Sequence, residues 1–175
     1  GSDIPKQFLP VGNKPVLMRT ISRFHEYDKS INIILVLPKE QQAYWKELCD
    51  KYHFDEEYTL TDGGDTRFQS SKNGLMMIPD GEEGLVGIHD GVRPFVSIST
   101  IARCYDTAED TYAAIPVMPV TDTLRYIDKQ GGGKNVLRSD YRVVQTPQVF
   151  DIALARQAFQ VEYQPCFTDD ASVVE

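Results

Sequence analysis

Leu85 to Phe95 reads LVGIHDGVRPF. Four apolar residues, Leu85-Val86-Gly87-Ile88, are followed at once by His89 and Asp90, then by a glycine, an arginine and a proline. The apolar run is short enough for a buried strand. It stops where charge begins, so the charge sits at the strand's C-terminal end, the edge at which open α/β sheets bind ligands. A carboxylate there can hold a metal, and an arginine three residues on can hold a phosphate. The same residues also suit a strand ending in a solvated polar turn, and the stretch alone leaves both readings open.

Outward from it, strands and helices alternate. On the N-terminal side, prolines at 5, 10 and 15 exclude a central strand or helix core. Gly12-Asn13 reads as a turn, and Pro15 suits the first turn of a helix with Leu17, Ile21 and Phe24 on its apolar face. Residues 31–37, INIILVL, read as a strand buried on both faces and stopped by Pro38. A helix follows over 39–52 with Trp45 and Leu48 inward, then a short strand over 57–61. Asp62-Gly63-Gly64-Asp65 is a turn into a helix over about 66–77, with Asp65 as the expected N-cap.

On the C-terminal side, Ser97 or Ser99 should cap a helix running to about Asp110, and 112–116 reads as another buried strand. From 121 to 144 the pattern changes. TDTLRYID and NVLRSDYRVV, polar and alternating, flank Gly131-Gly132-Gly133, which predicts a long β-hairpin excursion. A helix is expected over 151–161, and TDDAS reads as the opening of another, capped by Thr168 or Asp169.

A length of 175 residues fits one domain with a real core. The formal net charge is −8, and an acidic balance argues against sequence-independent nucleic-acid binding, which needs a basic face. It does not exclude an anionic small molecule, for which a few local cations suffice. No apolar run approaches the roughly 20 residues of a membrane span. Cys49, Cys104 and Cys166 are scattered singly, without zinc spacing, so a reducing, cytoplasmic setting is the expectation. No GxGxxG or Walker motif and no Ser/His/Asp arrangement is present. His25 and His53 read as surface or satisfied histidines.

Several short motifs carry chemistry, and each has a plainer alternative. Lys6, in Pro5-Lys6-Gln7, could neutralise a transferring phosphoryl group or be a surface lysine. Gly63-Gly64-Asp65-Thr66-Arg67 offers backbone amides at a helix start and a carboxylate, which could read a base edge and ribose or form a capped turn. Thr123, Arg138 and Thr146 are in isolation ordinary strand residues. Together, PKQFLPVGNKPVL, DGGDTR with Ser70, HDGVRPFV, PVTDTL, RVVQTPQVF and TDDAS resemble one family in order and spacing. That family is 2-C-methyl-D-erythritol 4-phosphate cytidylyltransferase, and the resemblance covers essentially the whole chain. Ribitol-5-phosphate cytidylyltransferase shares the core motifs, whereas Arg138, expected in the second hairpin strand, looks more like the methylerythritol branch.

The resemblance implies a Rossmann-like, mostly parallel sheet flanked by helices, of the nucleotide-diphospho-sugar transferase type, with a protruding β-hairpin arm. It implies one cytidylyltransferase domain over 1–175, with 119–144 as an arm for homodimerisation. It implies transfer of CMP from CTP to a polyol phosphate with Mg²⁺, releasing pyrophosphate. Lys6 matches the catalytic lysine, and Asp90 the acidic residue near the reacting phosphates and metal. Gly64, Asp65 and Ser70 match cytidine-holding positions. Arg93, Thr123, Arg138 and Thr146 match the acceptor side, with Thr123 and Arg138 serving the neighbouring subunit's site. The family often reads HDAARP where this chain has Gly91 and Val92. Its Gly-rich loop before the PKQ motif is expected to be missing save a tail at Gly1-Ser2, as are a first strand and a C-terminal lysine. A nucleotide- or sugar-phosphate-binding module without catalysis is the non-enzyme alternative; it would not require Lys6, Asp90, Arg93 and Arg138 together.

Overall fold

The computed structural model describes residues 4–175. Gly1 and Ser2, read as the tail of a loop, lie outside the described residues. Lys6–Phe8 form one 3₁₀ turn, and Phe8 is buried. Two short antiparallel strands, β1 (Pro10–Val11) and β2 (Lys14–Pro15), close around Gly12 at φ 66°, a left-handed value that suits glycine. Helix α1 (Val16–Tyr27) follows Pro15 and buries Leu17, Ile21 and Phe24, as its periodicity predicts.

β3 (Ile34–Leu37) is shorter than the expected 31–37, because a turn at Asp28–Ile31, closed by the Ile31 amide on the Asp28 carbonyl, takes up the start of the run. Its Leu35 and Leu37 are buried with Trp45 and Leu48 of α2 (Lys39–Tyr52) and with Phe8, Leu17, Met18 and Ile21. Trp45, 1% exposed, donates its Nε1–H to the Tyr58 hydroxyl at 3.0 Å. β4 (Thr59–Asp62) pairs with β3 in parallel register. Helix α3 (Arg67–Leu75) covers the other face of β3. Gly74 makes that approach feasible: a Cβ there would sit 3.0 Å from Val36 Cγ2.

β5 (Leu85–Ile88) is the strand that the opening stretch predicts, but it is half-buried along its length. β11 (Gln148–Asp151) runs antiparallel between β5 and β6 (Ala113–Ala114), so β5 and β6 share a direction. β6 is shorter than expected: Tyr112, at φ 65°, ends the helix α4 (Ile98–Thr111) and is exposed. Ser97 is that helix's cap. Among the described residues β3 and β5 each pair on one side only, and a groove of about 810 Å³ lined by Leu35, Leu37, Val86, Ile88 and His89 lies between them. A second core holds Phe68, Leu75 and Phe150 with Phe159 and Ala155, the latter on α5 (Ile152–Ala158). The expected helix over 151–161 begins one residue later, since Asp151 is its N-cap and accepts from Leu154 N.

The excursion is a two-tier β-ribbon. β7 (Val117–Pro119) pairs with β10 (Arg142–Val144) at its base, and β8 (Arg125–Ile127) with β9 (Gly133–Asn135) at its tip. A 3₁₀ turn at Arg138–Asp140 splits the second polar segment, so Arg138 lies in a turn and not in a strand as expected. In the single turn α6 (Ala171–Val174) the N-cap position is Asp170, one residue past the expected Thr168 or Asp169, while the Asp169 carboxylate accepts from Ser172 N at 3.0 Å. No helix among the described residues is long and apolar enough to cross a membrane.

Candidate active site

The charge at the end of β5 is organised by residues remote in sequence. Asp90 Oδ1 accepts from Arg67 at 2.5 Å, and Oδ2 accepts from Arg93 Nε at 2.7 Å. Arg67 also pairs with Asp170, whose side chain is 1% exposed and whose other oxygen accepts from Ser71 Oγ at 2.5 Å. Arg93 reaches on to Gln145 Oε1 at 2.5 Å. The Asp90 amide donates to Thr146 Oγ1 at 3.3 Å. Four segments thus meet in one network around Asp90, whose carboxylate itself is held by Arg67 and Arg93. Burial by itself would raise the Asp90 carboxyl, but hydrogen bonds from Arg67 and Arg93 and their charges outweigh it and hold it below the usual value. Arg67 is likewise desolvated, yet its two carboxylates push its pKa up, so it stays charged. Burial pushes the neighbouring His89 imidazole down.

Gln148, 1% exposed, latches the C-terminal segment to this site. Its Nε2 donates to Asp169 Oδ2 and its Oε1 accepts from Ala171 N, both at 2.8 Å. Burial raises the Asp169 carboxyl, but the bonds from Gln148 and Ser172 more than compensate and lower it. Folded carboxyls held low add stability that is complete above the unfolded value, near 3.8, and is lost as pH falls through the folded value. The melting temperature should therefore drop as pH is taken from about 5 to about 3. A melting temperature that stays flat across that window in scanning calorimetry would count against these two carboxylates.

The loop that precedes α3 is tight for a visible reason. Gly63 N donates to Leu37 O, and a Cβ at Gly64 would lie 2.1 Å from Gln69 Cγ. Ser70 Oγ accepts from Gly64 N at 3.1 Å and donates to Thr66 O, tying the loop to the helix. The helix cap is Thr66, not Asp65 as expected: its hydroxyl accepts from Gln69 N, the N3 donor in reach of the residue directly before the helix. Asp65 is left exposed and makes no hydrogen bond with another described residue. Lys6 is also exposed, its ammonium unpartnered among the described residues, on a turn pinned by buried Phe8 and by Gln7 on Gln41.

Asp90, Arg93 and Thr146 are thus brought together, and Ser70 ties Gly64 to the first turn of α3, which Arg67 opens. Among the described residues no hydrogen bond or ion pair links Thr123 or Arg138 to them; both are exposed on the arm, where Arg138 donates to Thr121 O. Arg67, Asp170, Gln145 and Gln148 were not among the predicted site residues. Arg67 stood in the DGGDTR motif and Asp170 in TDDAS, but their pairing spans 103 positions. A cavity of about 1040 Å³ opens on the far side of Arg93, lined also by Phe95, Met118, Gln145 and Thr146.

The sequence profile of the family described as 2-C-methyl-D-erythritol 4-phosphate cytidylyltransferase matches residues 1–175. The chain belongs to this family. The cytidylyltransferase of that name from Phocaeicola vulgatus is 59% identical over 175 residues, all of this chain and 78% of that one. Its counterpart from Bacteroides thetaiotaomicron is 56% identical over the same span, again 78% of its length. Among solved structures, 4-diphosphocytidyl-2C-methyl-D-erythritol synthase from Anaerococcus prevotii superposes with a TM-score of 0.83 at 29% identity, covering 99% of this chain and 76% of that one. The Thermus thermophilus 2-C-methyl-D-erythritol 4-phosphate cytidylyltransferase gives 0.73 at 32%, over 97% and 78%. A cytidylyltransferase of this family is an enzyme, so the reading as a binding module without catalysis is set aside.

Proposed function

We propose that this cytidylyltransferase transfers CMP from CTP to 2-C-methyl-D-erythritol 4-phosphate, releasing pyrophosphate and forming 4-diphosphocytidyl-2-C-methyl-D-erythritol. The observation that carries the reading is the position of Asp90. It is held between Arg67, which opens the helix after the loop at 63–66, and Arg93, which lines a separate cavity. A transfer between two phosphates needs cations where the two substrates meet, and Asp90 orients two of them, Arg67 and Arg93. The acceptor's phosphate oxygen attacks the α-phosphorus of CTP in line, and the bond to the β,γ-pyrophosphate breaks. Such chemistry asks the protein for positioning and charge neutralisation, not for a nucleophile. Lys6 has its ammonium free to offset charge on the α-phosphate. Gly64, Asp65 and Ser70 hold the cytidine, and Arg93 and Thr146 face the acceptor.

Among the described residues no three His, Cys, Asp or Glu side chains cluster. Mg²⁺ is bound by one or two carboxylates plus substrate phosphates and water, and Asp90 is the carboxylate at this edge of the sheet. Asp90 would be its protein ligand, and the bound ion would neutralise triphosphate charge. The three cysteines are free and apart, which supports a reducing cytoplasmic setting.

Pyrophosphate release from the full chain should be far faster with CTP than with UTP. A pocket built on hydrogen bonds is left with unpaired groups by the wrong base. It should also be faster with 2-C-methyl-D-erythritol 4-phosphate than with ribitol 5-phosphate. Equal turnover of CTP and UTP would overturn the nucleotide assignment; a preference for ribitol 5-phosphate would overturn the acceptor.

The arm supports a homodimer. Tyr126, Ile127, Leu137, Tyr141 and Val143 leave a run of apolar surface uncovered on it, and an isolated ribbon is marginal in water. A twofold partner's arm would bury it and carry Thr123 and Arg138 to the neighbour's Asp90. Asp90→Ala and Arg138→Ala should each inactivate the enzyme alone. Mixed and allowed to exchange subunits, they should recover up to about a quarter of the parent activity, since half the dimers are mixed and each has one intact site. No recovery after verified exchange would place Arg138 in its own chain's site.

A further inference from the structure

The Asp90–Arg93 turn closes with the Arg93 amide on the Asp90 carbonyl at 3.0 Å. Two of its three other carbonyls are gripped by side chains. Thr20 Oγ1, from α1, has one proton and two carbonyls in reach, Gly91 O at 2.9 Å and, in its own helix, Val16 O at 3.1 Å; the shorter contact is the one to the turn. His89 Nε2 lies 3.0 Å from Arg93 O. A carbonyl only accepts, so Nε2 carries the proton and the neutral ring's Nδ1 is a bare acceptor. That Nδ1 is buried and has no partner among the described residues. The ring is set edge-on against Phe24 with centroids 4.9 Å apart.

An unpaired buried acceptor is a cost, and it asks for a reason. Packing against Phe24 does not supply one, because leucine or phenylalanine would pack there without a stranded nitrogen. The remaining property of the ring is the Nε2–H on the Arg93 carbonyl. That bond and the one from Thr20 set the backbone from which both the Asp90 carboxylate and the Arg93 guanidinium project. We propose that His89 and Thr20 are positioning residues for transfer: they hold the turn by the carbonyls of Arg93 and Gly91, and so keep Asp90 and Arg93 in reacting register. The inference rests on the reading of Asp90 and Arg93 as the pair at the reacting phosphates. In this role both act through the turn and not on the reacting atoms.

The test measures kcat and KM of the full chain with CTP and 2-C-methyl-D-erythritol 4-phosphate, alongside thermal melting. Asp90→Asn comes first. If it stays active, the functional reading has failed and not the positioning role. With Asp90→Asn inactive, His89→Leu should lower kcat about 10–100-fold, the scale of a misplacement near 1 Å, with the KM for CTP within about threefold. His89→Gln, whose Nε2–H can reach the same carbonyl, should restore kcat to within about threefold of the parent. Thr20→Val keeps the shape, removes the second grip and should likewise reduce kcat before KM; it decides the matter if His89→Leu does not fold. A His89→Leu protein that melts lower yet keeps its kcat would overturn the proposal. So would equal losses in His89→Gln and His89→Leu, or an unchanged kcat in Thr20→Val.

Discussion

Replacing Arg67 by methionine should cost about 3 kcal/mol of folding stability, read from urea denaturation midpoints. Removing one partner of a buried ion pair typically costs about 3–5 kcal/mol, because the other charge is left behind without compensation. Two carboxylates lose Arg67: Asp90, which keeps Arg93, and Asp170, 1% exposed, which keeps no cation among the described residues. The lower end of the range applies for two reasons. Ser71 Oγ continues to donate to Asp170, and the Arg67 side chain is 39% exposed, so water can enter the space it vacates. Against a typical folding stability of about 5–15 kcal/mol this is a large loss. Pairing Arg67→Met with Asp170→Asn removes both charges and should recover more than half of it. A loss under about 1 kcal/mol for Arg67→Met would mean that water already screens the pair.

Lys6→Ala should lower kcat about 10²–10³-fold while weakening CTP binding less, the usual result of losing one preorganised charge-stabilising group. The preorganisation is visible in the turn. Pro5 fixes the entry at φ −55° and ψ 143°, and Phe8 is buried with its ring 6.1 Å from that of Trp45. Gln7 is held by Gln41. Lys6 therefore projects from a backbone that cannot drift, with its ammonium free to meet an incoming phosphate. Such an effect should leave the melting temperature near that of the parent, since Lys6 is exposed. Near-normal turnover by Lys6→Ala would remove it from the catalytic list.

Much of the molecule was legible in the chain itself. The helix over 39–52 ends where the sequence predicts, and Leu17, Ile21 and Phe24 of α1 face the core. The alternating segments around Gly131–Gly133 do form a ribbon, and the apolar run 85–88 is a strand with Asp90 just beyond its end. Each of these depends on local periodicity, proline placement or turn chemistry, which act over a few residues. The errors were also local in kind. Asp65 and Thr66 are both competent caps, and only the true start of α3 at Arg67 selects Thr66. Ile31 has strand propensity, but a turn at Asp28 claims it. Arg138 looked like a strand residue because nothing nearby announces the 3₁₀ turn that holds it.

The site's wiring was a different matter. DGGDTR, HDGVRPFV, RVVQTPQVF and TDDAS could be read one by one, and their order identified the family. That Arg67 bridges Asp90 to a buried Asp170, that Thr146 receives the Asp90 amide, and that Gln148 latches the last segment could not be read from any of them. Those contacts exist because β11 lies against β5 and the Phe68–Phe150–Phe159 core draws α3, α5 and the C-terminal turn together. Sequence by itself determined which residues carry charge and at which ends of which elements they stand. Packing of apolar side chains far apart in the chain decided which charges meet, because burial sums over the whole fold whereas propensity and capping act within a turn or two.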